Sequence, residues 1–371
     1  MRIPETMRVA RLHGWGDVRV GEMAVPRPGP GEALLRVEAC GVCGSDALEW
    51  YVETKAPAVL GHEPAGTIVA VGEGVTTLRP GDRVFTHHHA PCMACAECRR
   101  RLWSNCATWK RSQLTPGGFA EYTRIGAESV EHDTLVLPDR MDFETATFIE
   151  PLATCIRALR RQGRLESGDA VLIIGLGPMG QLLTSLARVL GAATVLGSEF
   201  HPGRRDRALR RGADAAFDPG RTDLAAAVRE HTAGRGADVV VVCPGDPAAI
   251  QAGIDAAAPG GRVVGFTPLR PGTRPAIDLA TLYFREITLT HSYSCGPDET
   301  RDALQLLASH DIEVRSLITH RDGLDGVQDA IRRAATDRSA MKSLILPHDS
   351  PRERSRSGSI DPALDRSVST S

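Results

Sequence analysis

Ala170-Val-Leu-Ile-Ile174 runs straight into Gly175-Leu-Gly177-Pro178-Met179-Gly180, and the fold follows from what these eleven residues form. An apolar run closed by a glycine turn predicts a strand. The periodicity from Pro178 to Leu190 predicts a helix, and Thr194-Val-Leu-Gly-Ser198 predicts a second strand that ends on Glu199. Strand, glycine turn, helix, strand and acid form the layout of a dinucleotide-binding βαβ unit. Gly-x-Gly-x-x-Gly alone is weak evidence, but here the acid stands 19 residues past Gly180, with the strand and helix in place. The three glycines serve different ends. Gly175 allows the tight turn, Gly177 lets the backbone reach the pyrophosphate, and Gly180 lets helix and strand pack closely. The helix N-terminus, opened by Pro178 and Met179, then presents its unpaired amide donors, from Met179 onward, to the phosphates.

The pattern continues downstream. Helices are expected through Arg211, from Thr222, from Pro247 to Ala258 and over 298–309. Strands are expected at 215–217, 239–243 and 262–266. Such alternation predicts a doubly wound parallel sheet. Glu199 would accept from the adenosine ribose hydroxyls and repel a 2′-phosphate, which favours NAD over NADP. Arg204 and Arg205 pull the other way, since arginine can hold the extra phosphate; NAD remains the expectation.

A chain of 371 residues suffices for about two domains. Its net charge of −2, without a basic patch interleaved with aromatics, excludes a nucleic-acid partner from the expectations. Lysine occurs only at Lys55, Lys110 and Lys342. No apolar run reaches the ~18–20 residues that span a bilayer, so no membrane partner is expected. Met1-Arg-Ile-Pro-Glu lacks a signal-peptide core. The expected location is the cytoplasm, where cysteines stay reduced. Nine cysteines then need another explanation, and metal is the first.

Cys92-Met-Ala-Cys95-Ala-Glu-Cys98 is followed by Cys106. Thiols at that spacing can wrap one tetrahedral zinc with every position filled, which makes a structural site. His87-His88-His89 is read as lining a strand end near a cleft rather than as a metal site, because the four thiolates already complete one. Upstream, short strands at 34–39, 68–71 and 83–85, separated by glycine and proline turns, predict an all-β, barrel-like domain. Cys43 and His62 within it are a thiolate and an imidazole, both good zinc ligands.

Cys43-Gly-Ser45-Asp46, Gly61-His62-Glu63 and Gly81-Asp-Arg-Val84 together resemble the zinc-containing medium-chain alcohol and polyol dehydrogenases. The resemblance covers about residues 7–346. It implies an α/β protein in which a GroES-like β-barrel catalytic domain joins a Rossmann domain. The catalytic domain would span 1–153, with a structural-zinc lobe at 87–110. The NAD-binding domain would span 154–296, and 297–346 would return to the catalytic domain through strands at 317–321 and 342–346. A tail, 347–371, rich in Ser, Arg, Asp and Pro, would be disordered.

By the same resemblance, Cys43 and His62 hold a catalytic zinc, Asp46 orients His62, and Ser45 holds the substrate hydroxyl and passes on its proton. Either Glu63 or Glu150 supplies a carboxylate ligand, and the two could exchange. Glu150, just before Pro151, places the chain on the sorbitol and threonine dehydrogenase side of the family. Many relatives carry a proton-relaying histidine where this chain has Leu48, which leaves the proton exit open. Trp50, Tyr51 and Phe119 are candidate walls of the substrate pocket, and Arg204 a candidate cofactor contact. The segment Thr290–Cys295 would close over the nicotinamide.

The expected protein is a homodimer or homotetramer with two zincs per chain. Its expected reaction moves hydride between NAD and a polyol, amino alcohol or cyclitol. The alternatives are a zinc-independent quinone or enoyl reductase and an inactive, zinc-stabilised binding protein.

Overall fold

The computed structural model describes residues 2–349, so the tail from 350 onward lies outside the described residues. The strands, in chain order, are β1 (Thr6–Gly14), β2 (Asp17–Ala24), β3 (Ala33–Gly41), β4 (Ala58–Val59), β5 (Glu63–Val71), β6 (Arg83–Thr86), β7 (Tyr122–Ile125) and β8 (Thr134–Val136). There follow β9 (Ala170–Ile174), β10 (Thr194–Ser198), β11 (Ala215–Phe217), β12 (Ala237–Val242), β13 (Ala257–Gly265), β14 (Thr288–His291), β15 (Ile318–Asp322) and β16 (Lys342–Ile345).

β9 to β14 form one parallel sheet in the order β11-β10-β9-β12-β13-β14. The order reverses beside β9, so a crevice opens past the ends of β9 and β12, where such sheets bind ligands. All five residues of β9 are buried because both faces are covered. Val171 and Ile173 face a core that includes Leu152, Leu182, Leu183 and Leu186. Leu172 and Ile174 face another with Leu224, Val228, Ile250 and Ile254.

The second sheet is β15-β16-β3-β5-β6-β8, with β7 added to β3. β1, β2 and β4 form a third, three-stranded sheet. β16 pairs with β3, so the last described strand closes the sheet that one of the first began. Ala65, Phe85 and Leu344 of this sheet belong to the same core as Val171 and Ile173. That shared core sets the two large sheets against each other and shapes the cleft between them.

Two local details differ from the sequence reading. The helix expected to reach Ala258 ends at Ala256, and Ala257 and Ala258 open β13. Pro259 explains the early stop, because the residue before a proline is pushed out of the helical region. The helix Ile149–Ile156 continues as a π-helix over Arg157–Gln162, for which the sequence carries no signal.

Candidate active site

Cys43 lies two residues beyond β3 and caps the short helical turn Gly44–Ala47. Asp46, in that turn and buried, accepts a hydrogen bond from the Cys43 amide at 3.1 Å. Its other oxygen lies 3.6 Å from His62 Nδ1. His62 follows Gly61, whose φ of +93° favours glycine and whose Cβ, if present, would come within 2.7 Å of Phe119.

Glu63 opens β5, fully buried, and pairs with Lys342, which opens β16. Gly41 stands opposite Glu63 in the ladder, and a side chain there would collide with the Glu63 carboxylate. Cys43, His62 and Glu63 thus bring a sulfur, a nitrogen and an oxygen within 4.8 Å of one another.

These residues fit a metal on two physical grounds. Glu63 Oε1 is buried without a hydrogen-bond partner, an arrangement that costs about 1–3 kcal/mol if nothing compensates it. Burial works against a charge on His62, yet Asp46 and Cys43 raise its pKa well above the ordinary imidazole value. The acidic surroundings that favour a charge on His62 would equally favour a divalent cation beside its sulfur, nitrogen and carboxylate donors.

A cavity of ≈ 600 Å³ opens here, lined among others by Cys43, Ser45, His62, Glu150, Met179 and Tyr293. Ser292, Tyr293 and Ser294 line it from the segment after β14. Tyr51 and Leu48 line it too, whereas Trp50 does not: it is half-buried, edge-on to Tyr51 at 5.7 Å. Phe119 also departs from the cleft-wall expectation. It is fully buried in the core of the second sheet, and Gly117 lines the cavity from that segment instead. Gly61 leaves room for this, because a Cβ there would come within 2.7 Å of both the Phe119 ring and its amide nitrogen.

Glu150 sits in the first turn of helix Ile149–Ile156 and reaches the cavity. Burial raises its pKa, with Glu63 adding to the rise while His62 and His87 oppose it. Its carboxylate falls in one group with His87 and Cys295, their potential ligand atoms all within 4.8 Å of one another.

Cys92, Cys95, Cys98 and Cys106 converge with their sulfurs within 4.8 Å, backed by Trp103 and Trp109. They can bind a structural zinc, as four thiolates fill a tetrahedron.

On the cofactor side, Gly175 has φ +87°, and a Cβ at Gly180 would collide with the Gly175 carbonyl. Pro178 and Met179 open the helix Pro178–Val189. A Cβ at Gly177 would meet only Arg204 Nη1 at 3.5 Å, so this face of the loop is open for a ligand. The Glu199 carboxylate accepts from the Leu176 amide at 3.1 Å and the His201 amide at 3.0 Å, with Arg204 Nη1 at 3.7 Å.

Sequence reasoning missed Lys342 and Gly41, whereas His88 and His89, read as lying near a cleft, both line the cavity. The one available signal was the rarity of lysine. His62, His88, His89, Trp109 and Tyr293 form a continuous series of rings along the wall, with neighbouring centroids 5.0, 4.2, 4.1 and 5.6 Å apart.

Fold and site define a nicotinamide-dependent zinc dehydrogenase, and the comparisons with known proteins agree. Residues 29–136 match the alcohol dehydrogenase GroES-like domain and residues 178–309 the zinc-binding dehydrogenase family. The chain is 35% identical to L-threonine 3-dehydrogenase of Pyrococcus abyssi over 83% of its own length and 89% of that protein. It is 32% identical to human sorbitol dehydrogenase over 86% and 90%. A zinc-binding dehydrogenase of Sinorhizobium meliloti, solved bound to NADP, superposes with a TM-score of 0.84 at 30% identity, covering 93% of this chain and all of that one.

The chain belongs to the zinc-containing medium-chain alcohol and polyol dehydrogenases. It is an NAD(P)-dependent alcohol dehydrogenase acting on a small molecule. No helix among the described residues is long and apolar enough to cross a membrane.

Proposed function

We propose that the protein oxidises the secondary hydroxyl of a polyol, amino alcohol or cyclitol, with NAD as hydride acceptor. The observation that carries this is the opening of Cys43 and His62 onto the same cavity as Met179, from the first turn of the glycine-loop helix. In this reading Cys43, His62 and Glu63 hold the catalytic zinc, and Glu150 is the carboxylate that can exchange with Glu63. Bound there, zinc supplies a Lewis acid that lowers the pKa of an alcohol.

The chain's own groups do the rest. Asp46 holds the His62 ring in place through Nδ1. Ser45 receives the substrate hydroxyl proton and passes it to the cofactor ribose and water, since Leu48 presents only an apolar surface. Tyr51 and the segment after β14 shape the pocket and exclude water. Cys92, Cys95, Cys98 and Cys106 hold the second zinc. Glu199, fixed by two backbone amides, faces the adenosine ribose and favours NAD, although a similar protein was solved with NADP. A cytoplasmic homodimer or homotetramer completes the reading, on the strength of nine unpaired cysteines and of resemblance.

The test is a panel of sugar alcohols, amino alcohols and cyclitols followed by NADH absorbance, with Cys43→Ser in parallel. Turnover with at least one class, lost in Cys43→Ser while NAD still binds, is expected. Unchanged turnover in Cys43→Ser rejects the zinc mechanism and favours a zinc-independent reductase. Equal or better kcat/KM with NADP than with NAD rejects the cofactor assignment.

A further inference from the structure

Behind the cavity wall lies a second donor set. His87, Glu150 and Cys295 bring a nitrogen, a carboxylate oxygen and a sulfur within 4.8 Å of one another, and all three residues are buried. They come from three separate places. His87 follows β6, Glu150 lies in the helix Ile149–Ile156, and Cys295 lies between β14 and the helix Pro297–Ala308.

The histidine is oriented as a metal ligand would be. His87 Nδ1 is 2.9 Å from Asp133 Oδ2, and the His87 amide donates to the Asp133 carbonyl at 3.0 Å. Asp133 in turn accepts from the Thr300 hydroxyl. A carboxylate partner on Nδ1 keeps the proton there and leaves Nε2 with a free lone pair. That lone pair faces Cys295 Sγ at 3.6 Å. A tetrahedral ion with Zn–N of about 2.0–2.1 Å and Zn–S of about 2.3 Å sets its nitrogen and sulfur ligands about 3.6 Å apart. The spacing fits two ligands sharing one ion, and without an ion it is that of a Cys295 thiol donating to the Nε2 lone pair.

We propose that His87, Glu150 and Cys295 form a third metal site, selective for a borderline-soft divalent cation such as Zn2+ or Co2+. The mixed nitrogen, sulfur and oxygen set favours such ions over Mg2+ or Ca2+. The ion enters from the cavity, which Glu150 lines. On binding, the Cys295 S–H bond breaks, a metal–sulfur bond forms and the proton leaves to water, with no change of oxidation state.

Glu150 gives this site a consequence for activity. It lines the same cavity as Cys43 and His62, while its carboxylate groups with His87 and Cys295. An ion held at His87 and Cys295 fixes Glu150 there, where it can no longer exchange with Glu63. Excess metal then inhibits. The proposal rests on the reading that places the catalytic metal at Cys43, His62 and Glu63.

The test uses the full chain, stripped of metal and reloaded with Co2+. Wild type is expected to take up a third equivalent beyond the two family sites, and Cys295→Ser to lose that equivalent together with part of the thiolate-to-cobalt absorption. Excess Zn2+ is expected to lower turnover of wild type several-fold and leave Cys295→Ser insensitive. Two equivalents in wild type, or three retained in Cys295→Ser, overturns the site. The wild-type count stands even if the variant folds poorly. Cys43→Ser separates the two readings: if it loses no equivalent while Cys295→Ser does, the catalytic-metal assignment fails and this site stands.

Discussion

His89 stands between the rings of His88 and Trp109, and its Nδ1 meets the Ser112 carbonyl. Burial, helped by His87, lowers its pKa from 6.5 to about 3. A folded-state pKa depressed in this way makes the unfolded chain bind the extra proton first. The stability that neutral His89 contributes is complete above pH 6.5 and is lost progressively as the pH falls from there toward about 3. His88 is shifted in the same direction, chiefly by burial. His89→Phe, which keeps a ring but cannot take up a proton, is expected to flatten the fall of Tm between about pH 6.5 and 4. A slope parallel to wild type would show that this imidazole is not held neutral.

At the scale of an element, the glycine loop divides its work between packing and ligand. Gly180 lies against the Gly175 carbonyl, and neither backbone can yield without moving the helix Pro178–Val189 from β9. Gly180→Ala is expected to destabilise the protein by about 1–3 kcal/mol, the usual cost of overpacking, seen as a lower Tm. Gly177 has open space beside it. Gly177→Ala is therefore expected to keep Tm within a few degrees while weakening NAD binding at least tenfold, read by fluorescence titration. If Gly177→Ala bound NAD normally, the loop would not approach the pyrophosphate as closely as the motif implies.

The whole molecule ties the cysteine lobe to the cavity. Trp109 packs with the thiol cluster and touches both His89 and Tyr293, which line the pocket. Loss of the lobe's zinc should therefore reach the substrate. Cys98→Ser is expected to lower Tm and raise KM for the alcohol, read by thermal melting and by steady-state kinetics at saturating NAD. A variant with lower Tm but wild-type KM would confine the lobe to a structural role.

How far the chain can be read without its fold depends on distance along it. The βαβ unit from Ala170 to Glu199 and the four thiols from Cys92 to Cys106 are legible because their parts are neighbours in sequence. Strand period, helix period and ligand spacing are local quantities. Cys43 and His62 are legible only as a resemblance, since neither residue stands out in its own surroundings.

The tertiary structure decided the rest. It set Lys342 beside Glu63 by pairing β16 and β5 with the two sides of β3. It grouped Glu63 with Cys43 and His62, and Glu150 with His87 and Cys295. It placed Phe119 in the core and Trp50 off the cavity. Local pattern was enough to specify the cofactor fold and the cysteine lobe. Which carboxylate lies beside which donor set came only from strand register and from where the helix Ile149–Ile156 packs, which no local pattern encodes.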